Sequence, residues 1–289
     1  MEVVIKLEYL SYFIFPGKDK EDDYLWDLGN TCSYYPFRVL SKNNLKRMDF
    51  DPITILYGGN GSGKSTALNI IAEKLKVERD SMFNKTIYFE DFVDMCKIDI
   101  LDHIPKKSKI ITSDDVFDFM LDIRNLNEGI VETRKAKQSE FLNAKYSDFK
   151  FRTMADYDEL KKVNQARSKS QTKYVNREVM KNIETRSNGE NAFQFFIEKI
   201  EENGLYILDE PENSLSPKRQ KELKKFIEDS ARFFGCQFII STHSPFILSI
   251  KNAKIYDLDL NPVETRKWTD LENVKIYYEF FNEYRDEFK

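Results

Sequence analysis

The chain has 289 residues, of which 41% are hydrophobic and 14% aromatic, and its formal net charge is −4. The length allows one large α/β domain with an insertion or two small domains, and the net charge argues against a wholly basic nucleic-acid-binding protein. No apolar run approaches the roughly 20 residues needed to cross a bilayer, and the N-terminal residues lack the layout of a signal peptide. The three cysteines, Cys32, Cys96 and Cys236, are widely spaced and fit no metal-binding pattern. We therefore expect a cytoplasmic protein without a membrane partner.

The first 50 residues alternate short apolar runs with polar, turn-rich pieces. The runs are VVIKLEYL, YFIF and PFRVL. They predict strands of an antiparallel sheet beside the rest of the domain.

Residues 57–66 read YGGNGSGKST and lie between an apolar run, ITIL, and a helix-like run, ALNIIAEKL. This is the strand, glycine-rich turn and helix that a phosphate-binding loop needs, because such a turn aims backbone N–H groups at an anion. Lys64 would contact the β- and γ-phosphates of a nucleotide, and the Ser65 hydroxyl would bind Mg²⁺. The predicted nucleotide-binding residues are Gly58, Gly59, Asn60, Gly61, Ser62, Gly63, Lys64, Ser65 and Thr66.

In the middle of the chain, the residue pattern changes from strand-like to helical. KTIYFEDF at 85–92 and SKIIT at 108–112 predict strands, whereas about 114–186 predicts a helical insertion of two or three helices within a single domain spanning 1–289. Residues 161–186 contain eight basic side chains and only two acidic ones. They indicate either a nucleic-acid-binding arm or, the interpretation we favour, a solvated helix face.

After residue 187 strands and helices alternate, which predicts a parallel sheet with its ligands at the carboxyl ends of the strands. The strand LYILDE ends in Asp209 and Glu210. Asp209 would hold Mg²⁺, and Glu210 would act as a general base on the attacking water. The next strand, IISTHS, ends near His243, a candidate contact to the γ-phosphate.

These motifs together resemble the ATP-binding-cassette (ABC) ATPase superfamily. The order of GGNGSGKST, SNGE at 187–190, LYILDEP, ENSLSP at 212–217 and STHS matches its Walker A loop, signature motif, Walker B strand, D-loop and switch histidine. SNGE in place of LSGGQ and the ending AKIYDLDLNPVETRKW resemble the SMC/RecF-like branch. That branch includes stand-alone bacterial AAA-type ATPases, some of them in anti-phage defence modules.

The resemblance implies a P-loop NTPase fold with a mostly parallel core sheet, an N-terminal antiparallel sheet and a helical insertion. It also implies a composite ATP site in an ATP-dependent homodimer. One subunit would supply the Walker A loop, Asp209, Glu210 and His243 with Mg²⁺, and the other would supply Ser187, Asn188 and Gly189. Ser214 and Leu215 would lie at the subunit contact.

One position departs from the family pattern. The glutamine expected at a strand end after Walker A is replaced by Ser113, Asp114 and Asp115, with Glu90 as a competitor. No aromatic residue is assigned to stack on adenine, although Tyr35 and Phe37 lie in the right region.

Three functions follow as hypotheses. The first is an ATPase that couples hydrolysis to conformational change in a DNA- or protein-directed process, such as anti-phage defence or DNA repair. The second is the nucleotide-binding subunit of a membrane transporter. The third is a nucleotide-sensing regulatory subunit of a toxin or defence complex.

Overall fold

The computed structural model describes residues 8–28, 33–150, 152–176, 179 and 188–288. It divides into two compact units, the first formed by 1–117 with 188–289 and the second by 118–187. In the described part of the chain, no helix is both long enough and apolar enough to span a bilayer.

The first unit is built on a seven-stranded sheet. Its strands are β3 (Ile53–Tyr57), β4 (Glu78–Arg79), β6 (Lys109–Thr112), β7 (Leu205–Asp209), β8 (Gln237–Ser241), β9 (Lys254–Asp257) and β10 (Glu264–Thr265). They lie in the order β10-β9-β3-β8-β7-β6-β4, and all neighbours are parallel except the β9–β10 pair. Strands β3 and β8 are buried along their whole length, as expected of apolar runs covered on both faces.

The strand order brings the sequence motifs to one edge of the sheet. β8 lies between β3, which precedes the phosphate-binding loop, and β7, which ends in Asp209. Parallel strands place their carboxyl ends at the same edge, so the loop, the two carboxylates and the His243 segment converge. The predicted mostly parallel α/β fold is confirmed.

A second, antiparallel sheet of three strands has the order β2-β1-β5. It combines β1 (Leu10–Ile14) and β2 (Arg47–Asp49) with β5 (Lys97–Ile100), a strand that the sequence analysis did not predict. PFRVL forms turns rather than a strand, and KDKEDDYLWDL forms helix α1 (Lys18–Leu28). Acidic residues lie in the first turn of α1, where they stabilise a helix. The sequence analysis interpreted this segment as a polar turn and overlooked that signal.

Residues 85–92 were expected to form a strand, and this was wrong. They lead into helix α3 (Phe89–Met95), where Phe89, Phe92 and Val93 are buried. These buried residues are spaced three and four positions apart, as on one face of a helix. Over the shorter run KTIYFEDF, the alternation of polar and apolar residues had indicated a strand.

The first unit also contains helices. They include α2 (Lys64–Leu75), α7 (Asn188–Lys199), α8 (Pro217–Phe233), α9 (Pro245–Leu248) and α10 (Glu272–Glu283). α2 packs against β7 and β8. α8 starts where Ser216 accepts a hydrogen bond from the backbone of Arg219 and Pro217 takes the first helical position, both standard start signals.

The second unit is helical. The long helix α4 (Ser113–Lys145) begins in the first unit, and α5 (Tyr157–Ser168) and α6 (Gln171–Val175) follow it. The unit has its own small core, formed by Phe141, Ala144, Val163, Ala166, Tyr174 and Val175. The single-domain organisation with an insertion at about 114–186 stays a prediction.

The basic stretch of this unit is partly described. Lys162 lies 3.6 Å from Glu140, and the Arg167 guanidinium donates to the Ser147 carbonyl at 2.7 Å. Two of its cations therefore have partners within the unit, which favours the solvated-face interpretation. Arg177, Lys181 and Arg186 lie outside the described residues.

Candidate nucleotide-binding and hydrolysis site

The phosphate-binding loop connects β3 to α2. Its tip, 59–61, is exposed, and Gly61 and Gly63 have φ values of 78° and 96°. A side chain at Gly63 would also come within 2.9 Å of Leu40, so glycine is required there by both conformation and space. The Ser62 hydroxyl oxygen is buried without a hydrogen-bond partner among the described residues.

Lys64 is the first residue of α2 and is almost fully buried. Its ammonium donates to the carbonyls of Gly58 at 2.8 Å and Gly59 at 3.2 Å. Burial lowers its pKa, whereas Glu210 and Asp209 oppose this change. The ammonium is thus held against the start of the loop, where a phosphate would be its natural counter-ion.

The proposed Mg²⁺ ligands, Ser65 and Asp209, meet across the loop. The Ser65 hydroxyl donates to Asp209 Oδ1 at 3.1 Å, and the Ser241 hydroxyl donates to the same oxygen. Burial raises the pKa of Asp209, and the two hydroxyls lower it. A half-buried carboxylate with an exposed serine hydroxyl beside it is an oxygen donor set of the kind that Mg²⁺ takes.

Glu210 does not continue strand β7. Its φ is +48°, a left-handed conformation that costs energy for a residue with a side chain, and its N–H donates to the carbonyl and hydroxyl oxygens of Ser241 at 3.1 and 3.0 Å. Glu210 Oε1 lies 3.9 Å from Lys64 Nζ, and Oε2 accepts from Asn213 at 3.0 Å.

His243 follows β8 and faces Glu210. Its Nε2 lies 3.4 Å from Glu210 Oε1, close enough for an ion pair but without hydrogen-bond geometry, and that nitrogen has no hydrogen-bond partner in the described part of the chain. The His243 backbone is fixed from the other side, because Asn273 of α10 donates to its carbonyl at 2.8 Å.

Glu212 is a residue whose role the sequence analysis missed. Its Oε1 accepts from the Thr242 hydroxyl at 2.6 Å and from the backbone N–H groups of His243 at 2.7 Å and Ser244 at 3.1 Å. Burial raises the pKa of this carboxyl, and those donors oppose the change. Glu212 therefore holds the His243 segment next to the residues that follow β7.

Asp259 was also missed. Both of its carboxylate oxygens accept from the Gly59 N–H, at 2.9 and 2.8 Å. Asp259 follows β9, the parallel neighbour of β3. Its position after an apolar strand could have indicated that it lies near the phosphate-binding loop.

The predicted signature motif is only partly described. Ser187 lies outside the described residues, and Asn188 is the first residue of α7. A Cβ on Gly189 would lie 3.6 Å from the Ser214 carbonyl oxygen and 3.7 Å from the Ser216 nitrogen. The start of α7 thus packs on the D-loop, whereas Leu215 is buried within its own chain.

The segment expected to replace the missing glutamine follows β6. Thr112 is paired in register with Asp209, and Ser113 begins α4. Asp115 is buried and accepts from the N–H and hydroxyl of Thr112 at 2.6 and 2.9 Å, so it caps the helix. Glu90 is in α3 and pairs with Lys85 at 3.0 Å. Which residue senses the metal stays a prediction.

The two aromatic candidates for adenine differ. Phe37 is buried and stacks on Tyr24 with ring centroids 4.9 Å apart, so it belongs to the core. The Tyr35 hydroxyl donates to Thr66 Oγ1 at 3.3 Å, which places Tyr35 beside the first turn of α2.

The residues present fit a nucleotide with Mg²⁺. Three observations support this fit: a buried lysine held by two carbonyls, a hydroxyl–carboxylate pair at the start of α2, and two buried polar atoms, Ser62 Oγ and His243 Nε2, without partners among the described residues. The start of a helix adds its positive dipole end.

Solved structures with limited similarity to this chain were found. Similar solved structures include the dimeric post-hydrolysis state of an ATP-binding cassette bound to ADP and Pi, with 12% identity, a TM-score of 0.36, and coverage of 78% of this chain and 90% of that chain. They also include the Smc head domain of Pyrococcus furiosus bound to the C-terminal domain of ScpA, with 14% identity, a TM-score of 0.39, and coverage of 83% and 95%. A search of the curated proteins found no match.

Two family models match the sequence. The family described as AAA ATPase domain matches residues 188–248, and the family described as ABC transporter matches residues 47–213. The second match covers more than half of the chain and includes the phosphate-binding loop, Asp209 and Glu210. The chain belongs to the ABC transporter family, and the resemblance to ABC-type ATPases is confirmed.

Proposed function

We propose that the protein is an Mg²⁺-dependent ATPase that closes as a homodimer around ATP and opens after hydrolysis. The observation that carries the proposal is the position of Glu210 Oε1, 3.9 Å from Lys64 Nζ and 3.4 Å from His243 Nε2. A carboxylate between a phosphate-binding cation and an imidazole is suited to activating water beside a γ-phosphate.

Each residue has a defined task in this reaction. Lys64 neutralises phosphate oxygens, and Ser65 and Asp209 would hold Mg²⁺, which supplies further charge neutralisation when bound. Glu210 accepts a proton from water as the water oxygen bonds to the γ-phosphorus. The bond from that phosphorus to the β–γ bridging oxygen then breaks, which leaves ADP and phosphate, and His243 contacts the transferred group.

The dimer is proposed from the place of the signature motif. Gly189 packs against the D-loop at Ser214 and Ser216. In the family arrangement this surface meets the ATP of a second subunit, so Ser187, Asn188 and Gly189 would complete the partner's site. Binding ATP more tightly in the closed state than ADP would drive the cycle.

We place this activity in the cytoplasm and expect DNA or a partner protein as its target, as in DNA repair or anti-phage defence. The test is Mg²⁺-dependent ATP hydrolysis by the purified protein, with and without duplex or single-stranded DNA. Lys64→Ala and EDTA serve as controls that should abolish turnover. If wild-type hydrolysis does not exceed that of Lys64→Ala, the proposal fails.

The transporter hypothesis is favoured by the family description alone. It predicts that the protein co-fractionates with membranes. The same protein recovered wholly in the supernatant after ultracentrifugation would contradict it.

A further inference from the structure

The first turn of α10 reaches the site through one residue, Asn273. Leu271, just before the helix, and Val274 inside it are buried, so the burial of these two side chains fixes where α10 starts. Asn273 lies between them and is half-buried. Its backbone N–H has no acceptor within the helix, because the N–H groups of a first turn precede the carbonyls that could accept from them. This N–H donates instead to the Tyr57 hydroxyl at 3.1 Å.

The side chain of Asn273 holds the backbone of His243. Its amide donates to the His243 carbonyl at 2.8 Å, and the His243 N–H donates to Glu212 Oε1 at 2.7 Å. Residues 242–244 follow β8 and lie outside the strand, so their polar backbone groups need other partners. Side chains 30 and 31 residues away in the chain therefore fix the backbone of His243 on both sides.

Asn273 also fixes a neighbour of the imidazole ring. Tyr57 ends β3 and is buried, and its ring meets that of His243 edge-on, with centroids 6.5 Å apart and an interplanar angle of 69°. The Tyr57 hydroxyl is the acceptor of the Asn273 N–H. One residue of α10 thus contacts both the backbone of His243 and the ring beside its imidazole, which in turn lies 3.4 Å from Glu210 Oε1.

The direction of the amide distinguishes this arrangement from an ordinary helix cap. A side chain that caps its own helix accepts hydrogen bonds from the N–H groups of the first turn. The Asn273 amide instead donates, and its acceptor lies in a different segment of the chain. The contact therefore restrains His243 rather than α10.

We propose that Asn273 is a positioning residue, which holds the His243 imidazole beside Glu210 and so sets the contact of His243 with the γ-phosphate. The effect on hydrolysis rests on the proposed function, whereas the effect on the imidazole stands on the geometry alone. A displacement of about 1 Å in a reacting site can cost on the order of 10²-fold in rate. The loss of one restraint on His243 is therefore measurable.

The imidazole supplies the first readout. The chain has two histidines, and His103 is exposed, so His103→Gln leaves one imidazole signal in NMR of the histidine-labelled protein. Asn273→Ala should displace the His243 signal. Asn282→Ala changes an exposed asparagine near the other end of α10 and is the matched control, which should leave the signal in place. A His243 signal that does not move in Asn273→Ala overturns the proposal.

Hydrolysis supplies the second readout. The kcat of Asn273→Ala should fall at least about tenfold, whereas Asn282→Ala should keep the wild-type value. The Kd for ADP should stay unchanged, because ADP lacks the γ-phosphate. An equal loss of ADP affinity would refute the route through His243, since Tyr57 directly precedes the phosphate-binding loop and the loop itself would then be altered.

A variant of similar size separates hydrogen bonding from packing. Asn273→Leu keeps the bulk of the side chain but cannot donate, so its kcat should fall as in Asn273→Ala. Wild-type turnover by Asn273→Leu would contradict the proposal, because bulk alone would then be sufficient. Far-UV circular dichroism checks that both variants fold.

A double-mutant cycle decides whether Asn273 acts through His243. In a His243→Ala background, Asn273→Ala should slow hydrolysis by less than about twofold, because the group on which it acts is already gone. The same tenfold loss in both backgrounds would indicate general destabilisation and overturn the proposal. A wild type without any turnover refutes the ATPase, and a displaced His243 signal in Asn273→Ala then still supports the positioning.

Discussion

The imidazole Nε2 of His243 lies 3.4 Å from Oε1 of Glu210, although the two residues follow different strands. The contact exists because β7 and β8 are parallel neighbours and because Glu210 turns into the left-handed region directly after β7. This contact places the proposed general base directly beside the proposed γ-phosphate contact.

Glu210→Gln is expected to slow ATP hydrolysis by about 10²–10⁴-fold, because an amide cannot accept the proton of the attacking water. It keeps the size of the side chain and so should retain ATP. We therefore expect an ATP-dependent dimer to accumulate, measured by light scattering coupled to size-exclusion chromatography. Lys64→Ala, the control, should stay monomeric with ATP. A Glu210→Gln protein that remains monomeric with ATP at micromolar concentration would contradict the composite site.

Ser65→Ala and Asp209→Asn should raise the Mg²⁺ concentration needed for half-maximal hydrolysis by roughly 10–100-fold, the range typical of damaged metal sites. The Ser65 hydroxyl and the Asp209 carboxylate are 3.1 Å apart and share the proposed site. Titration of MgCl₂ in the hydrolysis assay measures the effect. Ser65→Thr keeps a hydroxyl and should behave as the wild type. An unchanged Mg²⁺ requirement in both damaged variants would place the metal elsewhere.

Glu212→Ala is expected to lower the free energy of unfolding by about 1–3 kcal/mol, because the Thr242 hydroxyl and two backbone N–H groups lose their acceptor. Urea unfolding followed by circular dichroism measures the change. Glu212→Gln retains one acceptor oxygen and should be closer to the wild type. Equal stability of the wild type and Glu212→Ala would show that water replaces the carboxylate.

Cys96 should resist alkylation in the folded protein. Burial raises the pKa of its thiol to about 12, so the reactive thiolate is scarce at neutral pH. Iodoacetamide treatment followed by mass spectrometry should modify Cys96 in urea but not in buffer. Rapid modification of the folded protein would contradict the buried position.

The same shift has a consequence at alkaline pH. The unfolded chain loses the Cys96 proton near its ordinary pKa of 9.0, whereas the folded chain keeps it up to about 12. The folded state therefore binds more protons between these values, and the free energy of unfolding falls as pH rises. Cys96→Ala should make this fall shallower in thermal unfolding measured from pH 8 to 11. A curve that is equally steep in both proteins would refute the assignment.

Local patterns were sufficient for some elements. The phosphate-binding loop, β6, β7 and β8 were predicted, because an apolar run that ends in glycine or polar residues indicates a strand and the turn after it whatever surrounds them. β5, α1 and α3 were not, since their segments mix charged residues with aliphatic or aromatic ones. What these segments form depends on the surfaces that they cover, as with Phe89 and Phe92, which complete the core beside Phe37.

The sequence by itself determined which residues can bind phosphate and metal, because glycine spacing, a lysine and strand-end carboxylates have a chemistry that does not depend on distant parts of the chain. Only the tertiary structure decided how these groups meet. The backbone of Glu210 turns left-handed, Glu212 accepts hydrogen bonds from three donors, and the Asp259 carboxylate accepts one from Gly59. All three features involve segments that are far apart in the chain. Such contacts depend on strand order, which follows from how the whole sheet packs rather than from any short stretch.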